Sequence, residues 1–311
     1  MYLIILCLVV LVFQIVFGMA DWWVLAVHFV LSGLLSFGIS YLIDQYRLIN
    51  KSGSQILFQG WALMYAVLNL STVFLVSDQP WWHTDIFLIA LALIFRLGLD
   101  LWQDSDCPVL CLELGAVVGA LTFLDVQSLY FLIILIALLF HARSVSFRNL
   151  SCLFTGILTA VWIVYCILTL FSDPDSGLQY LLTFGHLLEW SLPVLPDLSA
   201  GYSHYVFLAG LAIVLIIYIF SGYFMYGISS LRTRAALHFI SSLCLLLVFM
   251  LFFSFPACVA LMAVPLSIHL MLSWGNNPSK PAVWATNTMI VISILLGVGE
   301  KLILWAIGFF S

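Results

Sequence analysis

Charged residues are scarce in this sequence. Lys, Arg, Asp and Glu make up 7% of its 311 residues, whereas they make up about a quarter of a typical soluble domain. Hydrophobic residues account for 65% of the chain, and the mean hydropathy is +1.21. This composition excludes an ordinary soluble domain and predicts a membrane protein, with lipids rather than nucleic acid as its surroundings.

Long polar segments are also missing. Apolar windows follow one another along the chain, and their lengths are close to the roughly 20 residues that a spanning helix needs. They cover 2–20, 22–43, 56–77, 84–103, 107–124, 126–142, 150–172, 204–227, 238–255, 256–274 and 282–309. We therefore predict an all-α, polytopic transmembrane bundle of about 11 helices. It forms a single integral-membrane domain over residues 1–311, with one sizeable loop at 173–203.

Basic residues are missing from every segment predicted to face outward. If the N-terminus lies inside, seven of the nine basic residues fall in inner segments: Arg47, Lys51, Arg143, Arg148, Arg232, Arg234 and Lys280. Acidic residues collect outside or at the outer boundary: Asp21, Asp78, Asp85, Asp125, Asp173, Asp175, Glu189 and Asp197. The positive-inside rule thus predicts that the N-terminus is inside and that residues 173–203 are outside.

The sequence contains no complete catalytic or cofactor motif. Its seven cysteines lie in or beside apolar windows, and an odd number in such places argues against a disulfide framework. Cys107 and Cys111, at i and i+4, supply half of a metal site, while tetrahedral sites usually need four ligands. We therefore predict no metal and no cofactor, and an enzyme is less expected than a non-enzymatic protein.

A few ionisable residues interrupt the apolar windows. Arg96 and Asp100 share one helical face at i and i+4. Glu113 lies beside Gly115 and Gly119, whose GxxxG spacing allows close helix packing. We expect Arg96 to pair with Asp100 or Glu113 away from lipid, either as an anchor between helices or as part of a substrate or proton pathway.

Other polar residues in the windows are harder to place. Glu300 and Lys301 lie at the outer interface if the last span begins near Ala282, and close to mid-membrane if it begins near Thr288. His28 and His269 are lone histidines within helices, for which a satisfied core position is the default expectation.

The outer loop contains an amphipathic stretch, "GLQYLLTFGHLLEWSL", at 177–192. Leucines line one side of it and polar residues the other, which predicts a helix lying in the membrane interface. A set of histidines and acids is predicted at similar depth on the outer face: His83, Asp85, His186, Glu189, Asp197 and His204. These residues are candidates for a site on the outer face.

Two stretches, "IDQYRLINKSGSQ" after the second window and "FHARSVSFRNLSCLFTGILTA" across the sixth and seventh, carry a family resemblance. With the spacing of the windows, they resemble an uncharacterised family of multi-pass inner-membrane proteins from Bacteroidota. The resemblance implies a bacterial inner (cytoplasmic) membrane and supplies no site residues.

Three functions are compatible with this sequence. Short loops and small-residue faces favour a non-enzymatic subunit or scaffold of a cell-envelope system, with lipids and other envelope membrane proteins as partners. A transporter of a small solute, lipid or proton would use the intramembrane charges. A transferase acting on lipid-linked substrates would use the acidic outer face, although it lacks the substantial first outer loop of polytopic sugar transferases.

Overall fold

The computed structural model describes residues 2–16, 22–48, 54–74, 81–104, 107–172, 174–185, 231–250 and 258–276, together with residues 287 and 291. Within these ranges every regular element is a helix, so the predicted all-α fold is confirmed. The first elements are α1 (Tyr2–Val16), α2 (Trp22–Gln45), α3 (Ser54–Phe74), α4 (Trp81–Gln103) and α5 (Pro108–Leu121). A 3₁₀ helix (Val126–Tyr130) leads into α6 (Phe131–His141), which is followed by α7 (Phe147–Phe171) and α8 (Pro174–Thr183). The later elements are α9 (Leu231–Met250), α10 (Cys258–Leu261) and α11 (Ala263–Asn276).

The backbone divides into two compact units. Unit 1 comprises Met1–Asp85, Val194–Ile240 and Pro256–Ser311, and unit 2 comprises Ile86–Pro193 and Ser241–Phe255. In unit 1, α3 packs against α2 and α11, and the residues of α11 from Ala263 to Leu272 are buried. In unit 2, the main contact is between α5 and α7.

Helix α2 differs from a surface helix of a soluble protein, because its exposed face is apolar while its buried residues include both polar and apolar side chains. Its buried face contains His28, Ser32 and Ser36. Its exposed face is a stripe of large apolar side chains: Trp23, Val27, Val30, Leu34, Phe37 and Tyr41. In a soluble protein the apolar stripe of a surface helix faces the core, so this arrangement is typical of a helix surrounded by lipid.

Two helices, Trp23–Gln45 and Phe147–Phe171, are long and apolar enough to cross a membrane by length and composition. Only 22% of the most apolar window of α7 is buried, unlike the core helix of a soluble protein. Leu158, Trp162 and Leu170 are among its exposed side chains. Other described helices are shorter: α5 has 14 residues and α6 has 11.

Small residues bring α5 and α7 into backbone contact. A Cβ atom added at Gly115 would collide with the carbonyl of Leu153, and one added at Gly156 would collide with the carbonyl of Leu112. At Gly119 an added Cβ would lie 2.7 Å from the Ile157 oxygen. Small residues of this kind let two helices approach closely. The close packing predicted for the GxxxG face of α5 is therefore confirmed.

A short helix follows α7 in the predicted outer loop. It begins at Pro174 and ends at Thr183, whereas the sequence predicted 177–192. Tyr180 is buried and its hydroxyl lies 2.5 Å from the Thr122 hydroxyl after α5, while Leu178, Leu181 and Leu182 are exposed. The leucines predicted to form the apolar side of this helix are thus exposed on the protein surface. The part of the predicted helix beyond residue 185 lies outside the described residues.

Most predicted windows contain a described helix. The window 204–227 lies outside the described residues, as does nearly all of 282–309. In the remaining windows the helix bounds depart from the prediction by up to seven residues, the largest difference being the start of α9 at Leu231 instead of 238. The single domain and the count of about 11 spans remain predictions.

Candidate functional site

Arg96 does not form the ion pair predicted for it with Asp100 or Glu113. Arg96 and Glu113 are both exposed, and Asp100 is half-buried. No ion pair joins Arg96 to either acid, although all three side chains belong to the described part of the chain. The predicted pairing is therefore wrong. The candidates Glu300 and Lys301 lie outside the described residues.

The helical wheel of α5 explains why Glu113 is exposed. The face packed against α7 contains Cys111, Leu114, Gly115, Val118 and Gly119. Glu113 precedes Gly115 by two residues, which is about 200° around a helix of 3.6 residues per turn. The glycines were correctly interpreted as a packing face, but the carboxylate beside them in sequence lies on the opposite side of the helix.

Arg96 and Glu113 nevertheless lie at similar distances from neighbouring helix ends. Arg96 precedes the last residue of α4 by seven positions, and Glu113 follows the first residue of α5 by five. At about 1.5 Å per residue these distances are about 10 Å and about 7 Å from neighbouring helix ends. An exposed cation and an exposed anion of unit 2 thus lie at similar distances from the connection between α4 and α5.

The second group of polar residues centres on Asp85, in unit 1. Asp85 was predicted on the wet outer face, but it is only 7% exposed. Its Oδ1 lies 3.2 Å from Nε2 of His28, which is 2% exposed. His83 is half-buried, and its ring centroid is 4.1 Å from that of Trp82. His186, Glu189, Asp197 and His204, the other outer-face candidates, lie outside the described residues.

The chain, as described, offers little to hold a metal ion. No three His, Cys, Asp or Glu side chains of the described residues converge on a common point. His28 and Asp85 bring two ligand-type atoms together, which is half of a tetrahedral site. The arrangement suits an ion pair or proton exchange better than metal binding.

Buried polar side chains continue along α2 from His28. Ser32 and Ser36 follow at i+4 and i+8 on the same face, and both are fully buried. The Ser32 hydroxyl donates to the carbonyl of Phe29 over 2.8 Å, and Nε1 of Trp61 donates to the same carbonyl over 3.1 Å. The site on α2 is therefore a buried polar face with a close contact between an imidazole and a carboxyl group at one end.

Comparisons with protein-family models, curated proteins and solved structures give no match for this chain. Its function must be inferred from the two groups of polar residues described above.

Sequence reasoning missed the His28–Asp85 pair because each residue was considered alone. A signal was present, however. His28 is six residues from the start of α2 and Asp85 is four residues from the start of α4, and both helices begin with a pair of tryptophans. If both helices start on one side of a membrane, these two residues must lie at similar depth.

Proposed function

We propose that this chain is a multi-pass integral membrane protein that serves as a non-enzymatic subunit of a cell-envelope system. The apolar exposed face of α2 supports membrane embedding, because a row of exposed apolar side chains along a whole helix suits lipid rather than water. The exposed aromatic and aliphatic side chains of α7 support it in the same way.

Four side-chain contacts agree with the arrangement of helices inferred from the basic residues. In each contact, the two segments are assigned to the same side of the membrane or to the same distance from one membrane surface. The contacts are His28 with Asp85, Thr122 with Tyr180, Thr233 with the Leu48 carbonyl, and Gln59 with Asn287. They support the alternating directions of the helices in this arrangement, whichever side is the inside, and the basic residues supply the orientation.

The exposed charges Arg96 and Glu113 carry the proposal of a subunit. A charge near the centre of a spanning helix costs about 2.5–3.5 kcal/mol on insertion scales, and such residues normally face protein or find a partner. Neither side chain has an ion-pair partner among the described residues. A second membrane protein that presents complementary charges at this depth would remove the cost.

The partners we propose are membrane lipids and other membrane proteins of the envelope. The resemblance to inner-membrane proteins of Bacteroidota and the inner location of the basic residues favour the bacterial cytoplasmic membrane. A transporter based on Arg96, Asp100 and Glu113 is less well supported, because these side chains do not meet in unit 2.

Mild-detergent purification from native membranes, followed by light scattering and mass spectrometry, tests the proposal. We expect the wild-type protein to elute with a stoichiometric membrane partner. Arg96→Gln or Glu113→Gln should weaken that association by about 2 kcal/mol or more, which is typical when one member of a buried charge pair is removed. Arg148→Gln is the matched control, since Arg148 is exposed but precedes the apolar window of α7.

The double exchange of Arg96→Glu with Glu113→Arg separates two kinds of partner. Recovery of the association would identify a second copy of this chain, because the reciprocal pairs would then reform with inverted charges. Continued loss would identify a different protein. A wild-type monomer without any partner, or variants that keep their partner, would contradict the proposed role as a subunit.

A further inference from the structure

The buried polar face of α2 extends to a second polar group on α3. The two helices are antiparallel in contact: Phe29 stacks edge-on against Tyr65 with centroids 5.3 Å apart, and Gly33 lies against the Trp61 ring. Because the helices run in opposite directions, residue numbers on α3 decrease as those on α2 increase. Gly33 of α2 is level with Trp61 of α3, so Ser36, three residues further along α2, is level with positions 58 and 59 of α3. Gln59 therefore lies level with Ser36.

Gln59 connects this level to a third segment. Its Nε2 donates to Oδ1 of Asn287 over 2.9 Å. Gln59 is 2% exposed and Ser36 is fully buried. Among the described residues, neither Oε1 of Gln59 nor Oγ of Ser36 has a hydrogen-bond partner. Buried polar atoms nearly always have a partner, so these two atoms indicate a place that accepts further hydrogen bonds.

The spacing along α2 matches a chain of hydrogen bonds. His28, Ser32 and Ser36 are each four residues apart, which is about 6 Å along the helix axis. Two O–H···O hydrogen bonds of about 2.8 Å through one water molecule span nearly that length. Internal waters commonly bridge buried polar groups that are otherwise unsatisfied. The face is therefore suited to hold alternating side chains and waters.

We propose that Asp85, His28, Ser32, Ser36 and Gln59 form a proton-conducting track through unit 1, reaching from near the outer face to Asn287. Imidazole and hydroxyl groups can each accept one hydrogen bond and donate another. A proton from the outer solution binds the Asp85–His28 pair, and a proton leaves the pair toward water at Ser32. The Ser32 O–H turns from the Phe29 carbonyl toward the next water as the proton passes, and each hydroxyl gives up one proton for each that it accepts. The proton leaves to water beside Gln59, whose amide orients that water by hydrogen bonds and carries no proton itself, so no group changes its proton count over a cycle.

Other titratable groups lie on the elements packed against α2. They are Cys7 on α1, Tyr65 on α3 and His269 on α11, all buried, together with His83 beside Asp85. Among the described groups near α2, His28 and Asp85 bring a basic and an acidic side chain within 4 Å of each other. For this reason we assign proton entry to that pair.

The track rests on the membrane embedding proposed above, and flotation of the protein with vesicles checks that step separately. The protein, purified with any associated partner, is reconstituted into vesicles of phosphatidylethanolamine and phosphatidylglycerol that contain a pH-sensitive dye. A potassium gradient with valinomycin then drives protons inward. We expect acidification clearly faster than in protein-free vesicles. Asp85→Asn and His28→Gln should slow it at least roughly tenfold, since a positioned proton-transfer group contributes that much or more.

Two further variants distinguish the track from a general effect on packing. Ser36→Val should reduce the flux, whereas Ser36→Thr keeps the hydroxyl and should retain it. Tyr41→Phe, which removes a hydroxyl from the exposed face of α2, is the control and should leave the flux unchanged. Protein that floats with the vesicles but conducts no better than empty vesicles would overturn the proposal. An Asp85→Asn flux equal to that of the wild type would also overturn it.

Discussion

Tyr180 is a buried residue of unit 2 whose hydroxyl connects α8 to the end of α5. Its ring is buried, and its hydroxyl bonds to that of Thr122, which in turn donates to the Gly119 carbonyl over 2.6 Å. Burial raises the pKa of the phenol above its usual range, and the hydrogen bond with Thr122 offsets part of that rise. The neutral phenol is therefore the form that the folded protein favours.

This raised pKa predicts a loss of stability at alkaline pH. An acid whose pKa is higher in the folded state binds its proton more tightly there, so stability is full below the unfolded pKa of about 10 and falls as the pH rises through it. Tyr180→Phe should lower the melting temperature at neutral pH, since it removes a hydrogen bond worth about 1 kcal/mol. It should also flatten the alkaline decline. Thermal unfolding in detergent between neutral and alkaline pH measures both effects, and an unchanged slope would contradict the assignment.

The sequence predicted charges better than it predicted their partners. Arg96, Asp100 and Glu113 were recognised as unusual, but their pairing depends on which side of each helix faces protein, and adjacent positions differ by about 100°. His28 and Asp85 meet although the helices that carry them are far apart in the sequence. A lone histidine in an apolar run does not itself indicate such a contact, and the signal lay instead in the paired tryptophans that begin both helices.

At the scale of elements, the helices themselves were largely predictable from long apolar runs. Their bounds were less so, because local signals such as Pro108 at the start of α5 and the Ser146 N-cap of α7 override the length of an apolar window. The GxxxG face of α5 was correctly predicted to pack closely. Its partner, Gly156 on α7, was not identified, since a single glycine in an apolar helix has no distinctive spacing.

Gly156 gives a sharp test of that packing. In Gly156→Ala the new Cβ would meet the Leu112 carbonyl and would lie 2.9 Å from the Ala116 nitrogen, so the two backbones must separate. We expect a loss of about 1–3 kcal/mol, as for other overpacked contacts. Gly38→Ala is the matched control, because no atom lies within 4 Å of its added Cβ. Because alanine has a higher helix propensity than glycine, Gly38→Ala should leave the free energy of unfolding unchanged or raise it by up to about 1 kcal/mol. Equal melting temperatures for the two variants would contradict the α5–α7 contact.

At the scale of the whole molecule, the side of the membrane on which each loop lies is the broadest remaining prediction. The hydrogen bond from the Thr233 hydroxyl to the Leu48 carbonyl is 2.7 Å long. It joins the segments 44–55 and 228–237, which the basic residues assign independently to the inside. Tyr180 and Thr122 belong to segments assigned to the outside. Contact and charge thus give one consistent arrangement of loops.

Labelling of single cysteines with a membrane-impermeant maleimide tests this arrangement. In a background without the seven native cysteines, Ser52→Cys, Val145→Cys and Ser229→Cys should react only after the cells are permeabilised, and Gln179→Cys should react in intact cells.

Two contrary labelling results would have different meanings. If all four positions exchange sides, the orientation is inverted while the helix arrangement stands, because the contact between Thr233 and Leu48 requires only a common side. If Ser52→Cys and Ser229→Cys react from opposite sides, that contact cannot exist in the membrane, and the packing of unit 1 on which the proton track depends is wrong.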